Sequence, residues 1–208
     1  MVPTKPRDRL RLAVLISGTG RTLINLHDRI ADGLLDARII AVVCSRGDTA
    51  GVEHARRRGL RTTVVDPRRM SADAFHAGVA EAVAGADLVC MAGFLSLWRV
   101  PDVWTGRVIN IHPALLPDFG GPGMYGRRVH EAVLAAGKSE SGCTVHICDN
   151  EYDHGPILLQ RTVRVRPDDT PDDLAARVFA EECIAYPDAI RLFCEDRVRV
   201  TGGRVIIL

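Results

Sequence analysis

Asn110 and His112 stand two residues apart at the end of a short apolar run, and Pro113 follows at once. If that run is a strand, alternation sends both side chains to one face and Ile111 to the other. An amide and an imidazole side by side can donate to an oxyanion as it develops. A solitary histidine would read as a structural residue. The neighbouring amide and the glycine- and proline-rich stretch 113–126 favour a site instead. A second candidate is Ser17-Gly18-Thr19-Gly20-Arg21-Thr22, between an apolar run and a helical pattern. Glycines let the backbone approach a ligand, and a helix start offers unpaired N–H groups to an anion such as phosphate. The same loop is also compatible with a tight turn that binds nothing.

Asp149-Asn150-Glu151-Tyr152-Asp153-His154-Gly155-Pro156 places three acids within five residues, ordinarily an exposed turn. A carboxylate close to an imidazole favours the charged ring and can accept a proton during reaction. Only the fold can carry Asp153 to His112. Glu182 extends a helical stripe through Leu174 and Val178. A carboxylate on an apolar stripe needs a partner, and internal donors and ligand hydroxyls answer that need equally well.

These pieces need a frame. Residues 12–16 form a continuous apolar run, which suits a strand buried on both faces of a parallel sheet. Leu23, Leu26, Ile30 and Leu34 then recur at helical intervals. Strands are expected at 39–44, 62–65, 87–91 and 107–111, with helices at 50–58 and 72–84 among them. This alternation predicts a doubly wound α/β architecture, with a mostly parallel sheet and right-handed crossovers. Beyond His112 a helix is expected at 128–136 and strands at 143–148 and 157–165. A further helix is expected at 171–185, with Asp172 and Asp173 in its first turn. Pro187 should break it, another helix reaching Phe193. Residues 198–208 read as a hairpin turning at Gly202-Gly203. Residues 1–10 read as a tail on a single domain spanning 1–208.

The chain has 208 residues, and its 27 basic and 26 acidic side chains nearly cancel. That balance gives no support to a general nucleic-acid or membrane-surface binder, and Arg56-Arg57-Arg58 reads as a solvated helix face. No apolar stretch approaches the ~20 residues that span a bilayer. The first residues lack the apolar region and cleavage site of a signal peptide, so a cytoplasmic protein is expected. The six cysteines contain no Cys-x-x-Cys pair and several sit in apolar runs, which points to structural thiols and no metal.

Taken in order, Leu15-Ile-Ser-Gly-Thr-Gly, Met91-Ala-Gly-Phe, Val108-Ile-Asn-Ile-His-Pro-Ala-Leu-Leu-Pro, Ser141-Gly-Cys-Thr-Val-His and Glu151-Tyr-Asp-His-Gly-Pro-Ile resemble the folate-dependent formyltransferases, specifically the glycinamide ribonucleotide enzymes. The resemblance runs from Leu12 to about Phe193 and implies the formyltransferase (Rossmann-like) fold. It implies a catalytic trio of Asn110, His112 and Asp153. Phosphate and ribose contacts are implied at Gly18, Thr19, Gly20, Arg21, Thr22, Pro113 and Glu182. Folate contacts are implied at Phe94, Leu95, Ser96, Leu97, Arg107, Cys148, Asp149 and Asn150. The activity it implies is formyl transfer from 10-formyltetrahydrofolate, a co-substrate rather than a tightly bound cofactor, to the amine of glycinamide ribonucleotide in purine synthesis. The partners are then two small molecules, with no nucleic acid or membrane, acting on a monomer or homodimer.

Three departures stand out. Arg21-Thr22 replaces the Ser/Thr-Asn common in this loop, and the arginine either strengthens phosphate binding or points to solvent. Ser96 takes a place where many relatives carry arginine. The stretch 118–126 is longer than in the commonest bacterial members, and a mobile lid is expected there. The nearest rival is a formyltetrahydrofolate deformylase, which usually carries an extra N-terminal domain. Methionyl-tRNA and sugar formyltransferases usually continue into a further C-terminal domain. A non-catalytic nucleotide-binding module would be expected to lose one of the trio. A dinucleotide oxidoreductase would need a third glycine where Leu23 stands.

Overall fold

The computed structural model describes residues 8–208. Its first strand, β1 (Leu10–Ile16), is apolar in consecutive positions because both its faces are covered. Leu12, Val14 and Ile16 enter one core layer, while Ala13 and Leu15 enter the other. The chain continues through α1 (Arg21–Ala31), β2 (Ala37–Cys44), α2 (Ala50–Arg57), β3 (Thr62–Val64), α3 (Ala72–Ala82), β4 (Leu88–Met91) and β5 (Val108–His112). After β5 come α4 (Arg127–Ala135), β6 (Glu140–Ile147), β7 (Ile157–Arg164), α5 (Pro171–Cys194) and the hairpin of β8 (Val198–Thr201) and β9 (Arg204–Ile207). Leu10 is thus already strand, and the expected tail otherwise falls largely on residues 1–7, outside the described residues. Helix α1 stops at Ala31 because Gly33 takes φ 73°, so Leu34 lies beyond the helix and is exposed.

The sheet has seven strands in the order β3-β2-β1-β4-β5-β6-β7. The first five run parallel, and β6 and β7 run antiparallel. This is the mostly parallel, doubly wound α/β sheet expected from the alternation of elements. Helices α1, α2, α4 and α5 pack on one face, α3 and the 94–104 segment on the other. The order reverses between β1 and β4, where a crevice opens outside the carboxyl ends of the strands. Tyr186 of α5 ties this centre together. Its buried hydroxyl lies 2.9 Å from the Met91 carbonyl and 3.1 Å from that of Ile109, at the ends of β4 and β5.

Pro187 does not break the last helix: α5 runs unbroken for 24 residues with that proline buried inside it. A proline at 187 cannot donate to the Cys183 carbonyl, four residues back. Asn25 of α1 supplies the missing donor, its Nδ2 lying 3.1 Å from that oxygen. A tertiary contact therefore overrides a local breaker. Asn25→Ala should cost about 1–2 kcal/mol in urea unfolding. In a Pro187→Ala background, where residue 187 regains an N–H, the same change should cost clearly less. Equal costs in the two backgrounds would sink this explanation.

Candidate active site

Strand β5 delivers Asn110 and His112 to the same face at its carboxyl end. Antiparallel β6 sets His146 directly across from Asn110 and Thr144 across from His112. The Thr144 hydroxyl donates to the Ala114 carbonyl at 2.7 Å and accepts from the Leu116 N–H at 3.0 Å. That pair of bonds fixes the turn that follows His112. Asp153 comes from the loop between β6 and β7 and holds φ 54°. The loop folds back so closely that a Cβ at Gly155 would stand 1.9 Å from the Ile147 carbonyl, so only glycine fits there.

The Asp153 carboxylate is almost fully buried and gathers its neighbours. Oδ2 accepts from the Gly121 N–H at 3.0 Å. Oδ1 accepts from Asn110 Nδ2 at 3.3 Å and lies 3.4 Å from His112 Nδ1 and 3.7 Å from His146 Nε2. Burial pushes this carboxyl upward, but His112, His146 and the Gly121 N–H outweigh it and hold the group well below the usual carboxylate range. Asn110 Nδ2 also lies 3.1 Å from His146 Nε2. His146 Nδ1 is 3.1 Å from the Ile147 carbonyl, which must accept from it, so the neutral ring leaves Nε2 to accept from Asn110. His112 Nε2 donates to the Phe119 carbonyl at 2.9 Å. The donors of the trio are thus turned on one another and on the backbone of the 118–126 stretch.

These groups open into a cavity of about 540 Å³, within the 300–1,000 Å³ typical of small-molecule sites. Gly18, Thr19, Gly20, Arg21, Thr22, Phe94, Leu95, Asn110, His112, Pro113, Asp153 and Glu182 all line it. The glycine loop is pressed into shape by α2. Gly20 holds φ 72°, the Gly51 N–H donates to the Gly18 carbonyl at 3.0 Å, and a Cβ on Gly51 would stand 2.6 Å from that oxygen. Ser17 anchors the loop from behind, 2.6 Å from Ser45 Oγ and accepting from the Leu95 N–H at 2.9 Å. The first turn of α1 has no side-chain cap and no acidic residue, so its N–H groups remain open to an anion. Arg21 does not stray into solvent alone: its guanidinium lies over the Phe179 ring, 3.6 Å from the centroid.

Ser96, Leu97, Arg107, Cys148, Asp149 and Asn150 stand outside the cavity wall. Asn150 Oδ1 accepts from the Val100 N–H at 2.8 Å, pinning the segment after β4 to the β6–β7 loop. Asp149 pairs with His154 at 2.8 Å, Cys148 turns its thiol to Met91, and Arg107 lies over Trp104. The cavity wall also contains residues the sequence did not mark for the site, among them Met124, Arg127, His130, Asp172 and Phe179. His130 is buried and its Nδ1 has no hydrogen-bond partner among the described residues. Burial, with His112 near it, holds that ring below the usual imidazole range. His146 belongs to the trio's setting, and its signal was available: residues 144 and 146 share a face with 110 and 112 once β6 is paired antiparallel. Among the described residues, no group of three or more His, Cys, Asp or Glu is arranged to hold a metal.

Residues 10–190 match the family described as formyl transferase. The chain is 40% identical over 201 residues to a chloroplastic phosphoribosylglycinamide formyltransferase of Arabidopsis thaliana, covering 94% of this chain and 68% of that protein. It is 36% identical over 203 residues to the trifunctional purine biosynthetic protein adenosine-3 of Bos taurus, covering 95% of this chain but only 20% of that protein. Among solved structures, glycinamide ribonucleotide transformylase 1 from Symbiobacterium toebii superposes with a TM-score of 0.89 at 41% identity. The match covers 97% of this chain and 95% of that one.

Glu182 offers a check on the site that needs no substrate. It makes no hydrogen bond or ion pair among the described residues, and burial pushes its carboxyl up to about 7, with Arg21 and His112 opposing. A carboxyl raised on folding binds protons more tightly in the native state, so its ionisation costs stability as pH rises from about 4.5 through about 7. Glu182→Gln should therefore melt several degrees higher than the parent at pH 8 and close to it at pH 4. Matching melting curves at pH 8 would contradict a strained carboxylate.

Proposed function

The chain belongs to the formyl transferase family, and from that premise we propose that it moves the formyl group of 10-formyltetrahydrofolate to the amine of glycinamide ribonucleotide, a step of purine synthesis. The observation that carries the proposal is the meeting of Asn110, His112 and Asp153 in one cavity with an uncapped, glycine-started helix. The helix start and Arg21 receive the phosphate, and Glu182 accepts hydrogen bonds from the ribose hydroxyls. The formyl-folate enters over Phe94 and Leu95, both in the cavity wall. The rest of it extends along Ser96 and Leu97, the 148–150 stretch and Arg107.

In this reading the uncharged amine forms a bond to the formyl carbon, and the carbonyl electron pair moves to oxygen. The oxyanion takes hydrogen bonds from Asn110 Nδ2 and from His112 Nε2, displacing the Phe119 carbonyl from the latter. Catalytic hydrogen bonds commonly tighten only when substrate arrives. Collapse of the intermediate restores the carbonyl and breaks the bond to the folate nitrogen, which leaves with a proton. The amine gives up one proton in the same turnover, passed through water in the cavity, so charge balances. A carboxyl as acidic as Asp153 is a weak base. Its contribution is to stabilise a charged His112 and fix its orientation, and proximity of the two substrates supplies much of the rest. We place the reaction in the cytoplasm. No described helix is long and apolar enough to cross a membrane, while the Arabidopsis relative is chloroplastic.

Purified protein with 10-formyltetrahydrofolate should release tetrahydrofolate only when glycinamide ribonucleotide is added, together with formylated product. Equal release without the acceptor would assign a deformylase instead. Asn110→Ala, His112→Ala and Asp153→Asn should each lower kcat by about a hundredfold or more, with ribonucleotide binding retained in calorimetry. Near-normal turnover in any of them removes that residue from the mechanism.

A further inference from the structure

Two arginines line the cavity, and they are committed differently. Arg127 is ion-paired with Glu131 at 2.8 Å and with Asp172 at 2.5 Å. Arg21, the first residue of α1, makes no ion pair or hydrogen bond with its guanidinium among the described residues. It rests over the ring of Phe179, 3.6 Å from the centroid. Phe179 belongs to a stripe of α5, with Ala175 four residues before it and Glu182 three after, that faces the cavity.

The choice of an aromatic support has a chemical consequence. A carboxylate that held Arg21 would occupy its N–H groups and cancel its charge. A ring attracts the cation through its π face, and the five N–H donors lie in the plane of the guanidinium, directed away from that face. Arg21 can thus be held still and remain fully available to an anion. The free side chain has many rotamers, and ordering it before the ligand arrives lowers the cost of binding.

Resting on the reading that this cavity takes a phosphorylated ribonucleotide, we propose that Phe179 is a positioning residue for the phosphate. Its ring holds the Arg21 guanidinium beside the open N–H groups of α1, and the two together form a clamp that is set before substrate binds. The clamp acts on binding and not on the formyl transfer itself.

Steady-state kinetics of single and double variants test this. Phe179→Leu should raise KM for glycinamide ribonucleotide about three- to fivefold, the scale of a lost cation–π contact at an accessible site. Its kcat should stay within twofold and its KM for the formyl-folate should not change. Phe179→Tyr, which keeps the ring, should resemble the parent. In an Arg21→Met background, Phe179→Leu should add nothing, an outcome that a purely structural role would not give. An unchanged ribonucleotide KM in Phe179→Leu, or an equal rise in the Arg21→Met background, overturns the clamp. Should Phe179→Leu fail to fold, Arg21→Lys carries the test: it keeps the charge, loses the planar stack and should show the same rise, and a parental KM there overturns the proposal. If the parent enzyme shows no ribonucleotide-dependent transfer, the underlying reading fails and the clamp with it. Normal transfer with a flat KM removes the clamp alone.

Discussion

A single buried carboxylate organises the cavity end of this molecule. Asp153 is charged, nearly inaccessible and met from four directions: by Asn110 and His112 of β5, by His146 of β6 and by the Gly121 N–H of the glycine-rich stretch. An ionised group cannot be moved out of water unless its lone pairs are satisfied. Asn110, His112 and Gly121 are therefore held where their donors reach Asp153, while His146 accepts from Asn110 and fixes that amide. The requirement propagates outward. It is met with Asp153 in the left-handed region and with a glycine at 155 where nothing larger fits. It also requires β6 to run against β5 in the register that sets His146 opposite Asn110.

That register belongs to the two antiparallel strands just beyond β5. β6 follows β5 through a long connection that carries α4, then passes through residues 148–156 into antiparallel β7, and those residues present Asp153. Thr144 uses the same alignment to bind the Ala114 and Leu116 backbone, so one strand buttresses the trio and the turn after His112 together.

Much of this is legible in the amino-acid sequence itself. The apolar runs of β1, β2, β4 and β5 announce a buried parallel sheet because both their faces are covered. The Asn-x-His pair could be placed on one side from strand alternation alone. Asp153 could be named only through the resemblance, since no local rule brings a residue of the 149–156 stretch to β5. His146 escaped because its role depends on pairing between strands, a property of register rather than of composition. Pro187 misled for a related reason: the donor that rescues α5 comes from Asn25, 158 residues before the Cys183 carbonyl it meets. Phe179 drew no notice in the sequence, and only the packing of α5 against the start of α1 sets it beneath Arg21.

The cavity also keeps two ionisable groups incompletely satisfied close to each other. Glu182 is buried enough to resist ionisation, and Arg21 influences it without bonding to it. A direct ion pair between them would relieve both, and the fold instead props the cation on a ring. Such an arrangement is unfavourable for a protein that merely has to be stable, because stability and the preorganisation of a site pull in opposite directions. It becomes intelligible if the two groups await different parts of one ligand, an anion for Arg21 and neutral hydrogen-bond donors for Glu182. A ligand with only a phosphate would leave the carboxylate strained, and one with only hydroxyls would leave the cation idle. On the proposed reading a ribose phosphate satisfies both at once, its anion meeting the cation and its hydroxyls meeting the carboxylate.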